Sequence, residues 1–69
     1  MNYLGYYDTI QEIEEAVLTA FKKYGTIRMA TIATKCANEN DFFDALNDLK
    51  NKGLVDFNDN FIFKPSLEQ

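Results

Sequence analysis

The chain has 69 residues, a net charge of −4 and a pI of about 4.5; 46% of its residues are hydrophobic, including six Phe and four Tyr, with one Cys and no His. This is one small domain, rich enough in apolar residues to fold, whose core can hide only about 60% of the surface of the unfolded chain. Lacking histidine, it cannot build a Ser–His or Cys–His nucleophile or a Cys/His zinc site, and no carboxylate pair is visibly placed in a pocket, so no enzyme, cofactor, metal or small-molecule substrate is expected.

The opening stretch, "MNYLGYYDTI", has neither the basic start nor the continuous apolar core of a signal peptide. No run approaches the roughly 20 apolar residues that span a bilayer. Cys36 has no partner for an internal disulfide, which suits a reducing compartment. These features predict a cytoplasmic protein with no membrane association. Residues 1–7 read as an aromatic arm around Gly5 that docks on a surface, with a flexible leader as the alternative, and Tyr3, Tyr6 and Tyr7 are candidate contacts for a protein partner or a weak homodimer.

A first helix opens at Asp8 or Thr9, where Thr9-Ile10-Gln11-Glu12 has the form of a capping box. Ile10, Ile13, Val17, Ala20, Phe21 and Tyr24 recur at three- and four-residue steps and so share one face. Glu12, Glu14 and Glu15 lie near the positive end of the helix dipole, and Lys22 and Lys23 near the negative end. Gly25 is a natural stop because glycine accepts positive φ. "TIR" reads as a short β-prone link. Met29, Ile32, Ala33 and Cys36 then repeat the helical spacing over about two turns. On that face Cys36 is a small core residue rather than a reactive thiol, since only the adjacent Lys35 could lower its pKa.

"NEN" interrupts the chain, and Asn38 or Asn40 can end one helix or cap the next. A third helix buries Phe42, Ala45, Leu46 and Leu49, with Asp41 and Asp44 near its start, Lys50 and Lys52 near its end, and Gly53 as its stop. "LVDFNDNFIFKP" reads as a hairpin. A three-residue loop, Asn58-Asp59-Asn60, would pair Phe57 with Phe61 and Val55 with Phe63, collecting four apolar residues on one face and setting Asp56 opposite Ile62. A two-residue loop of Asp59-Asn60 would pair Asp56 with Phe63 and mix the faces, so the longer loop is expected, with Asn60 in a left-handed conformation. Pro65 ends the strand. The domain is then 8–65, followed by a frayed tail at 66–69.

The segment "IATKCANENDFFDALNDLKNKGLV" has helix-turn-helix spacing, and "LKNKGLVDFNDNFIF" looks like the end of a recognition helix followed by a wing. Together they resemble the winged helix-turn-helix superfamily, in its bacterial and archaeal regulator style, over about residues 9 to 64; no subfamily is identified. The resemblance implies a mostly helical α+β fold of three helices with a C-terminal two-stranded β-hairpin wing. In such domains the third helix enters the major groove and the wing touches the backbone or minor groove.

The outward stripe of that helix would be Asn40, Phe43, Asp44, Asn47 and Asn51. Asn can read adenine and Asp can accept from cytosine, but docking is driven by neutralising phosphates. From Glu39 to Leu49 there is no Lys or Arg, and the wing tip carries Asp59. Two readings follow. In the favoured one the module is an interaction or regulatory adaptor, and the stripe, with Phe43 either at the core edge or as an exposed anchor, binds protein. In the alternative it is a DNA-binding transcriptional regulator using Arg28, Lys35, Asn40, Asn47, Lys50 and Lys64. "DFNDN" matches the first ligand positions of a calcium loop, but Phe61 stands where that loop needs Gly and Leu67 where it needs Glu. A polar hairpin tip is the ordinary reading.

Overall fold

In the computed structural model residues 7–65 are described, and each long helix is closed by local chemistry legible in its own residues. α1 spans Ile10–Tyr24. Thr9 caps it: Thr9 Oγ1 accepts from Glu12 N at 3.1 Å, and Glu12 Oε1 accepts from Thr9 N at 3.2 Å and from Asp8 N at 2.8 Å. The capping box is therefore reciprocal and satisfies donors that would otherwise be orphaned. Gly25, at φ 80, ends the helix by donating its N–H to Phe21 O. Tyr24, expected on the buried face, is instead 67% exposed. It is the last residue before the chain turns away at Gly25, and its ring meets the Lys23 ammonium at 5.3 Å rather than the core.

The β-prone link forms β1 (Ile27–Arg28), and α2 covers only Met29–Ala33. The second helix is thus shorter than its apolar spacing predicts. Thr34 Oγ1 donates to Ala30 O at 2.8 Å, and Cys36 lies beyond the helix in a parallel bridge to Tyr7. Tyr7 N donates to Lys35 O at 2.8 Å and Ala37 N to Tyr7 O at 3.0 Å. Tyr7, placed at the end of the expected arm, is thereby fixed and packs half-buried on the core. Tyr3, Tyr6 and the tail at 66–69 lie outside the described residues.

α3 spans Glu39–Asn51; Asn38 is its cap, with Oδ1 accepting from Asn40 N at 2.8 Å. Gly53 at φ 78 turns the chain into β2 (Asp56–Phe57), which pairs with β3 (Phe61–Phe63). The fold is α+β, mostly helical: among the described residues there are three helices and a three-stranded antiparallel sheet ordered β1-β3-β2. The expected two-stranded hairpin is part of a larger sheet because "TIR" joins it.

That third strand also overturns the expected register. The pairs are Asp56↔Phe63 and Phe57↔Ile62, those of the two-residue loop. β3 is the central strand, and its other neighbour pairs Ile27 with Ile62. Ile62 must therefore face inward, where it is fully buried with Val55, while Phe61 is 39% exposed and Phe63 half-buried. Alternation read along a hairpin alone cannot register a strand paired on both sides. The turn closes without a left-handed residue: among the described residues no non-glycine has positive φ, so Asn60 does not adopt the expected conformation. Instead Asn58 Oδ1 accepts from both Asn60 N and Phe61 N at 2.8 Å, and Asn58 N donates to Phe61 O at 2.9 Å.

α3 supplies Phe42, Ala45, Leu46 and Leu49 to the core, packed on Ile13 and Val17 of α1. Among the described residues the core contains no buried polar or charged residue.

The hairpin tip yields a test. Asn58→Ala should lower stability by about 1 kcal/mol, because two backbone N–H groups lose their acceptor. Asn60→Ala should stay within about 0.5 kcal/mol, since its side chain closes nothing. Urea unfolding midpoints of the two variants compare them directly; equal losses would contradict the role given to Asn58.

Candidate functional site

The helical pitch of α3 puts Phe42, Ala45, Leu46 and Leu49 inward and leaves Asn40, Phe43, Asp44, Asn47 and Asn51 exposed. The predicted stripe thus exists as an accessible face. Phe43 combines both roles foreseen for it. Its ring stacks tilted on buried Phe42, with centroids 5.3 Å apart, yet the residue is 40% exposed. Across from it the hairpin contributes Phe57, Asn58 and Asp59. With Met29 these residues line a cleft between α3 and the hairpin tip. The tip is held there because Met29 N donates to Asn60 O at 2.9 Å, joining the start of α2 to the turn. Sequence patterning did not reveal this cleft, since it depends on where the third strand docks the hairpin.

The cations foreseen for DNA, Arg28, Lys35, Lys50 and Lys64, differ in their surroundings. Lys50 pairs with Asp56 at 3.3 Å and lies over the Phe57 ring at 5.5 Å. Lys52 Nζ sits 3.0 Å from Asp48 and 3.7 Å from Glu14. Arg28 leans over the exposed Phe61 ring at 6.0 Å. Lys35 and Lys64 are exposed. Both lysines that end α3 are therefore engaged by carboxylates of this same chain. Phe57 N donates to Asp56 Oδ1, and this bond, more than Lys50, holds the Asp56 carboxyl below its ordinary value.

Glu14 and Asp48 meet across the α1–α3 seam. Burial first, and then the neighbouring Asp48 carboxylate, push the Glu14 carboxyl above its ordinary value despite Lys52. Asp48 is held below its own, chiefly by its hydrogen bond to Glu14 and then by Lys52. The Lys52 ammonium is pushed up, first by its bond to Asp48. For Cys36, burial and then the charge of Asp41 raise the thiol, whose Sγ donates to Ile32 O at 3.3 Å. The raised value and the hydrogen bond are those of a thiol stabilised in its neutral form, as suits a small packing residue. Among the described residues no group of three potential ligands could hold a metal ion, and no helix is long and apolar enough to cross a membrane.

No family model, curated protein or solved structure matches the chain.

The Glu14 site gives a pH-dependent prediction. A carboxyl whose folded pKa is raised costs stability while ionised, and that cost disappears as pH falls and the folded state takes up the proton. Glu14→Gln should therefore unfold at equal or higher urea concentration near neutral pH, and its advantage should vanish below the ordinary Glu value of 4.5. Asp48 and Asp56 act in the opposite sense. Their contribution is present above the ordinary Asp value of 3.8 and is lost as pH falls through their lower folded values. Urea midpoints of wild type and variant across an acid pH series should converge; a variant that is less stable at neutral pH and no closer to wild type in acid would refute this account.

Proposed function

We propose that the chain is a small, non-enzymatic interaction module of winged-helix type, whose third helix binds protein and does not read duplex DNA. The order helix, strand, helix, turn, helix, hairpin supports the winged-helix reading, with β1 as the strand that joins the hairpin to the helices. A single observation carries the functional reading. The open face of α3 presents Asn40, Phe43, Asp44, Asn47 and Asn51 with no cation among them, and the lysines at its end are held by Asp48, Glu14 and Asp56. A helix entering the major groove would bring Glu39 and Asp44 toward phosphates and would have to free Lys50 and Lys52 from carboxylates to offset them. Both steps oppose the counterion release that drives docking. A protein surface imposes no such cost, and a part-exposed aromatic such as Phe43 is a residue type enriched where binding energy concentrates. A weak homodimer that uses Tyr3, Tyr6 and Tyr7, with or without Phe43, belongs to this reading.

The alternative, a DNA-binding regulator, draws on exposed Arg28, Lys35 and Lys64. Fluorescence anisotropy of a labelled random duplex across a salt series separates the two. The expected result is no tight binding near physiological salt and only feeble binding at low salt. Micromolar or tighter binding that weakens steeply with salt would overturn the proposal, and Arg28→Ala or Lys35→Ala should then flatten the salt slope.

A further inference from the structure

The cleft between α3 and the hairpin tip has a distinct chemistry. Its floor and walls are apolar, from Met29, Phe43 and Phe57, and its hairpin rim is Asn58 and Asp59. On α3, Glu39 lies one turn before Phe43 on the same face, and Asp44 is its neighbour. Among the described residues none of Glu39, Asp44 and Asp59 forms a salt bridge, whereas Lys50 and Lys52 are both satisfied internally. Arg28 is the cation near the other side of the tip, and it lies over Phe61. The cleft thus combines a part-exposed aromatic wall with one lining carboxylate, Asp59, and adjoins the face of α3 that carries Glu39 and Asp44; the Lys50 ammonium over its Phe57 wall is paired with Asp56.

Resting on the protein-interaction reading above, we propose that this cleft docks a basic segment of a partner protein, one that inserts an aliphatic or aromatic side chain against Phe43 and Phe57 and sets Lys or Arg beside Asp44 and Asp59. The apolar insertion supplies most of the binding energy, because an aromatic-walled pocket is where a side chain sheds its water. The carboxylates choose the partner: they favour a basic segment, speed its encounter and repel an acidic one. The same charges exclude a phosphate backbone.

The probe is a short acetylated peptide of Lys and Leu at helical spacing, with a twin in which Glu replaces Lys. Each is titrated into the isotopically labelled full chain and followed by amide chemical shifts. The Lys–Leu peptide should shift Met29, Phe43, Phe57, Asn58 and Asp59 saturably, less so as salt is raised, and the Glu–Leu twin should not. Phe43→Ala leaves the net charge unchanged and should weaken binding by about tenfold or more. Asp59→Lys, at an exposed turn, should weaken it with the fold intact, and the amide spectrum of each variant reports that fold. Four outcomes would overturn the basic-partner assignment: no binding, equal binding of the twin, shifts centred on Glu12 and Glu15 of α1, or affinity unmoved by Phe43→Ala. So would concentration-dependent shifts at the cleft without peptide, which would make a second copy the occupant. None of these disturbs the protein-interaction reading, which stands or falls on the duplex titration.

Discussion

Ile62 is the residue on which the arrangement turns. It sits at the middle of a three-residue strand and is paired on one side with Ile27 and on the other with Phe57. Its full burial fixes the inward face of the sheet, and this in turn forces the short turn at Asp59-Asn60, the outward Phe61 and the approach of the tip to Met29. Because strand residues alternate strictly, moving Ile62 by one position would expose it and bury Phe61 and Phe63 in its place. The cleft beside Phe43 depends on this strand, because the strand sets where the hairpin tip lies.

Most of the helical architecture was legible in the residues themselves, because its determinants are local. Thr9 and Glu12 cap one another within a single turn, Asn38 bonds to Asn40, and Gly25 and Gly53 stop their helices at positive φ. The sheet was not legible in the same way. "TIR" gives no sign of the partner it will find thirty-five residues later, and the hairpin considered alone favours the wrong register. The outward stripe on α3 followed from helical periodicity, whereas the engagement of Lys50 by Asp56 and of Lys52 by Glu14 depends on packing between elements. Tyr24 and Cys36 show the limit of periodicity at helix ends. Spacing continues past the point where the backbone stops being helical or stops being covered.

The charge pattern has one physical logic across the molecule. Acidic residues at the start of α3 favour the helix through its dipole, and the lysines at its end do the same. Those lysines also bridge α3 to α1 and to β2, so they serve the fold twice. Such exposed pairs are individually weak. Their larger effect is on the outside: they reduce the positive potential at the helix end and leave the carboxylates of the first turns to set the field over that face.

The pairing of Ile27 with Ile62 also bears on how the molecule assembles. Joining residues so far apart along the chain requires a long loop to close before any sheet contact is gained. Contacts between α1 and α3 also join residues far apart in the chain, so they close a loop of similar length and neither event precedes the other on this ground. Both joins carry a similar entropic cost, and a domain that rests on two of them is expected to assemble as one unit. The cleft, framed by Met29 beside β1 and by Phe57 on β2, is then complete only when the whole domain is.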